Sequence, residues 1–413
     1  MFDFETWVDR CGHDSMSADR LKNDLWQLPV GNPKPGFDPI PLWLADMNFA
    51  TAPCVIEVIK KRLDHPIFGY FAPSAKYYEA IKKWQKDSFG VTDLSEQNIG
   101  YQNGVLGGVT SALSVLTDRG GAVLVHSPIY SGFLTQLKRN GYEIVLSDLV
   151  VDEAGVWRMD FADMERKIQQ YKIHTLLFCS PHNPTGRVWS REELERLSDL
   201  CEKYDIYVIC DEIWADFSLF GNRHIPLQTV SLALRERTMA FYSPSKTFNL
   251  AGIVGAYHIV YNQRLMDRLS WQSCTSHYND MNVLTMHALI GAYSEQGRIW
   301  LDELKQVLEE NIQATSRMCL ENITYTTHFI HQNFEGIRLV KPQGTFVMLL
   351  ECSQWCQKHG VAIEEVLLRG VEAGVIWRDG KAFNVPCGIR MNVGIPFAKI
   401  KEVCDRLLKY VFI

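Results

Sequence analysis

The stretch Tyr242-Ser243-Pro244-Ser245-Lys246-Thr247-Phe248-Asn249-Leu250-Ala251-Gly252 sets a single lysine among hydroxyls and small residues, ahead of a glycine-containing turn. The segment is too poor in charge to read as ordinary solvated surface. Crowded, apolar surroundings penalise the ammonium form of a lysine and free its amine to act as a nucleophile that forms a Schiff base. Taken alone, the same pattern also fits a loop lysine beside a Ser/Pro turn, so the rest of the chain has to decide.

Immediately before this segment, residues 238–242 form an uninterrupted apolar run, and similar runs occupy 122–126, 143–146, 175–179 and 206–210. Helical patterns lie between them. One spans 104–116 with a glycine-rich start, and another spans 191–204, opened by Ser190 as a cap with Glu193 three residues on. Continuous apolar strands alternating with amphipathic helices predict an α/β fold with a mostly parallel sheet covered on both faces. Sites in such sheets form at the carboxyl ends of the strands. The polar segments Ser127-Pro128-Ile129-Tyr130, Ser180-Pro181-His182-Asn183, Asp211-Glu212-Ile213-Trp214 and Ser243 to Lys246 follow four of these runs. Emerging at one edge, they are expected to converge on one pocket.

Outward from the sheet, residues 1–50 are irregular and read as an arm that also contributes to a smaller domain. A helical pattern begins near Thr51, with Val55, Ile56, Ile59 and Leu63 on one face. From about Gly291 a long helical pattern runs through Ile299, Leu304 and Ile312. Strands near 337–340 and 345–350 and helices near 362–373 and 399–410 come after it. The division expected is 1–50 (arm and part of the small domain), 51–290 (large domain) and 291–413 (smaller α+β domain with a bridging helix).

A chain of 413 residues exceeds one ordinary core. Its 46% hydrophobic and 22% charged residues are the mixture of a globular protein, which argues against disorder. With a net charge of -6 and no basic run that could follow a phosphate backbone, nucleic acid is not an expected partner. Acids at Asp3 and Glu5 and the lack of a long uncharged span predict neither a signal peptide nor a membrane helix, hence a cytoplasmic protein. Eleven scattered cysteines fit reduced thiols. Cys352 and Cys356 are four apart, but no histidine or second pair stands at zinc spacing, so no metal is expected.

A lysine-bound pyridoxal phosphate would need several further groups. Its phosphate calls for backbone N–H groups at a helix N-terminus, and Asn103-Gly104-Val105-Leu106-Gly107-Gly108 opens a helix with glycines that allow close approach, although glycines there also mark tight packing. A protonated pyridine nitrogen calls for a buried carboxylate. Asp211 follows directly on an apolar strand, where it could equally cap a helix. Tyr130 is placed to stack on the ring, and Asn183 can donate an amide N–H to the ring's phenolic oxygen. An amino-acid substrate brings a carboxylate suited to a bidentate arginine, such as Arg390 in Gly388-Ile389-Arg390-Met391-Asn392-Val393, a residue that alone would also fit the surface.

The segments Ser180-Pro181-His182-Asn183-Pro184-Thr185-Gly186, Asp211-Glu212-Ile213 and 243–252 resemble the fold-type I pyridoxal-phosphate enzymes of the class I/II aminotransferase family. Within that family, Ala45-Asp46-Met47 with Phe49-Ala50-Thr51-Ala52-Pro53, and Phe68-Gly69-Tyr70, look like the branch of cystathionine β-lyases and cystalysin-type C–S lyases. The resemblance implies the PLP-dependent transferase-like fold, with a seven-stranded, mostly parallel sheet in the large domain. It implies that Lys246 carries the cofactor and acts as catalytic base. Asp211 would serve the pyridine nitrogen, Asn183 the phenolic oxygen and Tyr130 the ring face. Gly104, Val105, Leu106, Ser243 and Ser245 would surround the phosphate, and Arg390 would hold the substrate carboxylate. Tyr70 would reach the phosphate of a neighbouring subunit, which implies a homodimer with shared sites.

Several positions depart from the family pattern. Many transaminases have an arginine eight residues after the lysine, where this chain has Val254. Trp214 stands where aminotransferases often have tyrosine and lyases histidine, and Asn48 replaces an expected acid. The segment 379–388 departs from the usual glycine-rich lead into the arginine. The activity implied is β-elimination of cystathionine, cystine or a related cysteine S-conjugate to a thiol, pyruvate and ammonia. An aminotransferase would need the same lysine, aspartate and arginine, and a non-catalytic regulatory protein retaining the fold is the third alternative.

Overall fold

A computed structural model describes residues 2–21, 31–320 and 336–413. The chain divides into two compact units. One comprises Met1–Ala50, Asn183–Gly186 and Glu303–Ile413; the other comprises Thr51–His182 and Arg187–Asp302. The division thus falls inside the helix Glu295–Leu320.

The larger unit is built on a seven-stranded sheet. Its strands in chain order are β1 (Ile99–Gln102), β2 (Ala122–Ser127), β3 (Glu143–Asp148), β4 (Thr175–Cys179), β5 (Tyr207–Asp211), β6 (Thr238–Tyr242) and β7 (Ala256–Ile259). Their spatial order is β1-β7-β6-β5-β4-β2-β3. Every pairing is parallel except the two made by β7. The apolar runs of β4 and β6 are buried along their whole length, as a sheet covered on both faces requires. Strand β5 begins and ends one residue later than its apolar run. Asp211 is therefore the strand's last residue, held in register with Cys179 and Phe241, rather than the first residue of the loop.

The helix Val105–Leu116 covers one face of this sheet. Val109, Ala112 and Leu113 from the helix join Val123, Val125, Leu177, Ile209, Met239 and Phe241 from the strands in one buried cluster. Removing each of these side chains other than Ala112 from water contributes about 1.5–3 kcal/mol. Gly108 lets the helix approach, because a Cβ there would stand 2.5 Å from the Phe241 ring. The capping box expected before the helix Arg191–Lys203 is present. Ser190 Oγ accepts from the Glu193 amide at 3.3 Å, and the Glu193 carboxylate accepts from the Ser190 amide at 2.9 Å.

In the smaller unit, four antiparallel strands run in the order Arg338–Leu339, Val347–Glu351, Gly388–Asn392 and Arg378–Asp379. The irregular N-terminal segment belongs to this unit and contributes Ile40–Pro41, which pairs in parallel with Val375–Ile376. The long helical pattern expected from Gly291 is split in two. Val283–Ala292 ends at Tyr293, and Glu295–Leu320 begins two residues later. Among the described residues no helix is long and apolar enough to cross a membrane, and no cluster of three or more His, Cys, Asp or Glu could hold a metal ion.

Candidate active site

The parallel strands deliver Asp211 and the Lys246 segment to the same sheet edge. Lys246 sits in a single helical turn, Pro244–Thr247, that begins two residues after β6. Ser243 caps this turn: its Oγ accepts from the Ser245 amide at 3.1 Å and donates to the Gly255 carbonyl at 2.6 Å. The hydroxyl of Ser243 therefore shapes the backbone around the lysine, and that of Ser245 is half-buried beside it. The Lys246 ammonium nitrogen lies 5.8 Å from the centroid of the Trp214 ring, within cation–π range. Trp214 is fully buried, so the indole that departs from the family pattern forms an aromatic wall beside the amine.

Asp211 is buried, and its Oδ1 accepts a hydrogen bond from the Ile213 amide at 3.0 Å. Among the described residues no Lys or Arg forms an ion pair with it. Burial pushes its carboxyl up to about 7. The Ile213 N–H and then the charge of Lys246 work against that rise, and the charge of Glu212 adds to it. A carboxylate so placed is an acceptor built for a cation, since a buried charge is costly until it is paired. Its neighbour Glu212 is fully committed. It accepts from Tyr242 Oη and pairs with His224 Nε2, both at 2.6 Å, and it takes the Leu227 amide at 3.0 Å.

Gly104 caps the N-terminus of Val105–Leu116 with φ 77° and ψ 158°, a conformation that favours glycine, and its missing side chain would meet no atom within 4 Å. Free N–H groups and space at a helix N-terminus suit a phosphate. The approach is fixed by groups the sequence did not single out. The Asn103 amide donates to Asn279 Oδ1 at 2.9 Å, and Tyr101 Oη donates to Asn103 Oδ1 at 2.8 Å. At the position where an arginine is absent, the Val254 carbonyl is held by Thr285 Oγ1 at 2.9 Å. Tyr130, half-buried, precedes the helix Ser131–Arg139 and packs edge-on to Phe133. Tyr70 is fully exposed on this chain, next to the exposed Ile67 and Phe68.

The other two expected residues belong to the smaller unit. Asn183 is buried, and its side-chain oxygen has no hydrogen-bond partner among the described residues. A buried amide end left open in this way invites a ligand, because an unmade buried hydrogen bond costs free energy. The segment is anchored where the Gln343 and Gly344 amides both donate to the Gly186 carbonyl at 2.9 Å. Arg390 is 3% exposed. Its Nη2 donates to the Trp43 carbonyl at 2.7 Å, and its guanidinium lies 4.6 Å from the centroid of Phe383, so the altered lead segment still supplies an aromatic beneath it. Arg378, 7% exposed, stands directly opposite Arg390 in the antiparallel pair and therefore on the same face. Asn48 pairs with the Val8 backbone in both directions at 2.9 Å, a contact that needs an amide's donor as well as its acceptor.

The pH dependence of stability follows from three other buried groups. Burial pushes His126 down to about 4, and His182 and His258 down to about 3. In the unfolded chain these imidazoles protonate near pH 6.5, so between that pH and their folded values the unfolded state binds more protons. Stability present above pH 6.5 is thus lost as pH falls, by on the order of 2 kcal/mol for each group at pH 5. Asp211, with its raised value, works the other way, but it is one group against three. The thermal midpoint is expected to fall between pH 7 and pH 5, and His126→Phe to flatten that dependence; a midpoint that rises would contradict it.

The chain is similar to known proteins over most of its length. The sequence profile described as Aminotransferase class I and II matches residues 40–407. Cystathionine beta-lyase PatB of Bacillus subtilis (strain 168) is 29% identical over 374 residues, covering 90% of this chain and 92% of PatB. Protein MalY of Escherichia coli (strain K12) is 30% identical over 411 residues and 97% of each chain. The PLP-bound C–S lyase of Staphylococcus hominis superposes with a TM-score of 0.85 at 27% identity, covering 100% of this chain and 98% of that one. A match spanning nearly the whole chain, on a sheet edge that carries a lysine and a buried aspartate, leaves one assignment: the chain belongs to the class I and II aminotransferase family.

Proposed function

We propose that the chain is a pyridoxal 5'-phosphate-dependent carbon–sulfur β-lyase, which converts cystathionine, cystine or a related cysteine S-conjugate to a thiol, pyruvate and ammonia. The observation that carries the cofactor is Asp211, a buried carboxylate near Lys246 that forms no ion pair with a Lys or Arg among the described residues. The open glycine cap at Gly104 fits the same group, and so does the buried amide of Asn183, whose nitrogen is the donor a phenolic oxygen needs. The reaction type is supported by the relatives, which include a cystathionine beta-lyase and a C–S lyase, and by Val254 in place of the transaminase arginine.

When bound, pyridoxal 5'-phosphate supplies an aldehyde that captures the substrate amine and a ring that takes up the electrons of the α-carbon. The chain supplies the remaining groups. Lys246 would hold the cofactor through its amine and, once that amine is free, would serve as general base for the α-proton. Asp211 keeps a proton on the pyridine nitrogen by offering it a buried negative partner. Tyr130 stacks on the ring, and Asn183 donates to its phenolic oxygen. The N-terminal amides at Gly104, Val105 and Leu106, together with Ser243 and Ser245, hold the phosphate. Arg390 grips the substrate carboxylate through two parallel N–H groups. Tyr70 belongs to the site of a neighbouring copy. On this reading the exposed run at Ile67, Phe68 and Tyr70 lies in the interface of a homodimer that works in the cytoplasm.

Incubation of the pure protein with cystathionine, without any keto-acid acceptor, is expected to release pyruvate continuously. Conversion of the cofactor to its amine form without pyruvate would instead identify an aminotransferase.

A further inference from the structure

Five residues beyond Asp211, Asp216 buries a carboxylate whose two oxygens each serve one donor. Oδ1 accepts from Trp84 Nε1 at 2.9 Å, and Oδ2 accepts from Thr247 Oγ1 at 2.7 Å. Asp216 is 7% exposed and Thr247 0%. Thr247 directly follows Lys246 in the chain and closes the single helical turn that carries it. One turn of helix has no stability of its own. At its start the Ser243 cap fixes it; at its end the Phe248 amide donates to the Pro244 carbonyl at 2.8 Å. The Thr247–Asp216 contact is the side-chain bond at that second end. It ties the turn to the segment that leaves β5, the strand ending in Asp211. Trp84 anchors the far side of the carboxylate: its ring stacks on Tyr293 with centroids 4.5 Å apart and planes 6° apart, and it lies under the Arg298 guanidinium.

We infer that Asp216, acting through Thr247, is a positioning residue that holds the Lys246 backbone at a fixed place relative to Asp211. The inference rests on Lys246 being the cofactor-bearing base. In that role the lysine amine has two tasks, attachment to the cofactor and removal of the α-proton, and its side chain must swing between them. Both end points are then defined only if the backbone stays still, and a displacement of about 1 Å costs roughly 100-fold in rate. A charge with two buried donors and no Lys or Arg partner among the described residues is a costly anchor. Its directionality is the compensation. An ionised carboxylate only accepts, so the Thr247 hydroxyl must point its proton at Asp216 and cannot turn to compete with the backbone bonds of its own turn.

The test compares Thr247→Val, which keeps the shape and removes the donor, with Thr247→Ser, which keeps the donor, and adds Asp216→Asn. Three quantities are read on the holoenzyme: kcat and KM separately, the pH at which the visible band of the lysine-bound cofactor converts, and the rate at which that band forms when pyridoxal phosphate is added to cofactor-free protein. For Thr247→Val and Asp216→Asn, kcat is expected to fall about 100-fold with little change in KM. Their bands should titrate at a shifted pH and form more slowly, while Thr247→Ser stays within a few-fold of the parent. A Thr247→Val protein with parental kcat, band titration and band formation, altered only in thermal midpoint, would reduce the contact to a structural one. If the parent itself shows no band that depends on Lys246, the reading of the site fails first. If Asp216→Asn does not fold, the two threonine variants still decide.

Discussion

Lys246→Ala is expected to abolish turnover of cysteine S-conjugates by at least about 10⁴-fold, since it removes both the covalent attachment and the general base. The absorbance band of the lysine-bound cofactor should vanish with it. Borohydride reduction should fix the cofactor to a peptide containing Lys246 in the parent protein and leave the variant unlabelled. The fold should survive. Lys246 is half-buried in a turn whose caps come from Ser243, Pro244 and Thr247, none of which depends on the ammonium. A further consequence is electrostatic: in the cofactor-free protein, loss of the Lys246 charge removes one of the two influences holding the Asp211 carboxyl down, so its titration should move higher still. A variant that keeps its band, or that retains turnover within tenfold of the parent, would exclude Lys246 as the cofactor-bearing residue.

Much of this arrangement is legible in the sequence. The five apolar runs became five adjacent parallel strands; the four inner ones are buried on both faces, need no alternation and so show as continuous runs, while β3 lies at the edge and is only partly buried. Strands β1 and β7 carry no such run. Ile99-Gly100-Tyr101-Gln102 and Ala256-Tyr257-His258-Ile259 are short and mix polar with apolar residues. The Gly100 and His258 that break their apolar character fit one another across the pair, with the imidazole where a Cβ of Gly100 would be. The glycines after Asn103 carried two readings, and the structure divides them. Gly104 supplies an open cap at positive φ, whereas Gly108 serves packing against Phe241.

The groups that were not legible are those whose meaning depends on a partner far away in sequence. Asp216 takes its role from Trp84 and Thr247, which lie 132 and 31 residues away, and Asn279 meets the Asn103 backbone across 176. No spacing rule announces such pairs. Arg378 lies twelve residues before Arg390, and only the strand register reveals that the two guanidiniums share a face. A weak signal for Asp216 did exist: an acid set in the apolar run Ile213-Trp214-Ala215 and Phe217, where a charge must have donors to survive burial.

Asp211→Asn separates what the site gives to catalysis from what it costs the fold. The amide keeps the size of the carboxyl, and its oxygen can still accept from the Ile213 amide, so the end of β5 should be unchanged. Only the charge goes. Without it the pyridine nitrogen loses its buried negative partner, and the proton that makes the ring an electron acceptor is no longer held there. Removing one such preorganised electrostatic partner typically costs about 10²–10³-fold in kcat, and the upper figure is expected here because Asp211 is fully desolvated. Stability should move the other way. In the cofactor-free chain the Asp211 carboxyl has a folded value near 7, above that of an unfolded aspartate, so its stability contribution is complete in acid and is lost as pH rises through 7. At pH 8 that loss is on the order of 4 kcal/mol. Cofactor-free Asp211→Asn should therefore melt above the parent at pH 8 and lose that advantage toward pH 5, while turning over far more slowly once loaded. If the variant melted below the parent at pH 8, the Asp211 carboxylate would already have its cation within the protein. A group that destabilises the empty protein and becomes useful only when a cation arrives is what a site selected for a protonated ring requires.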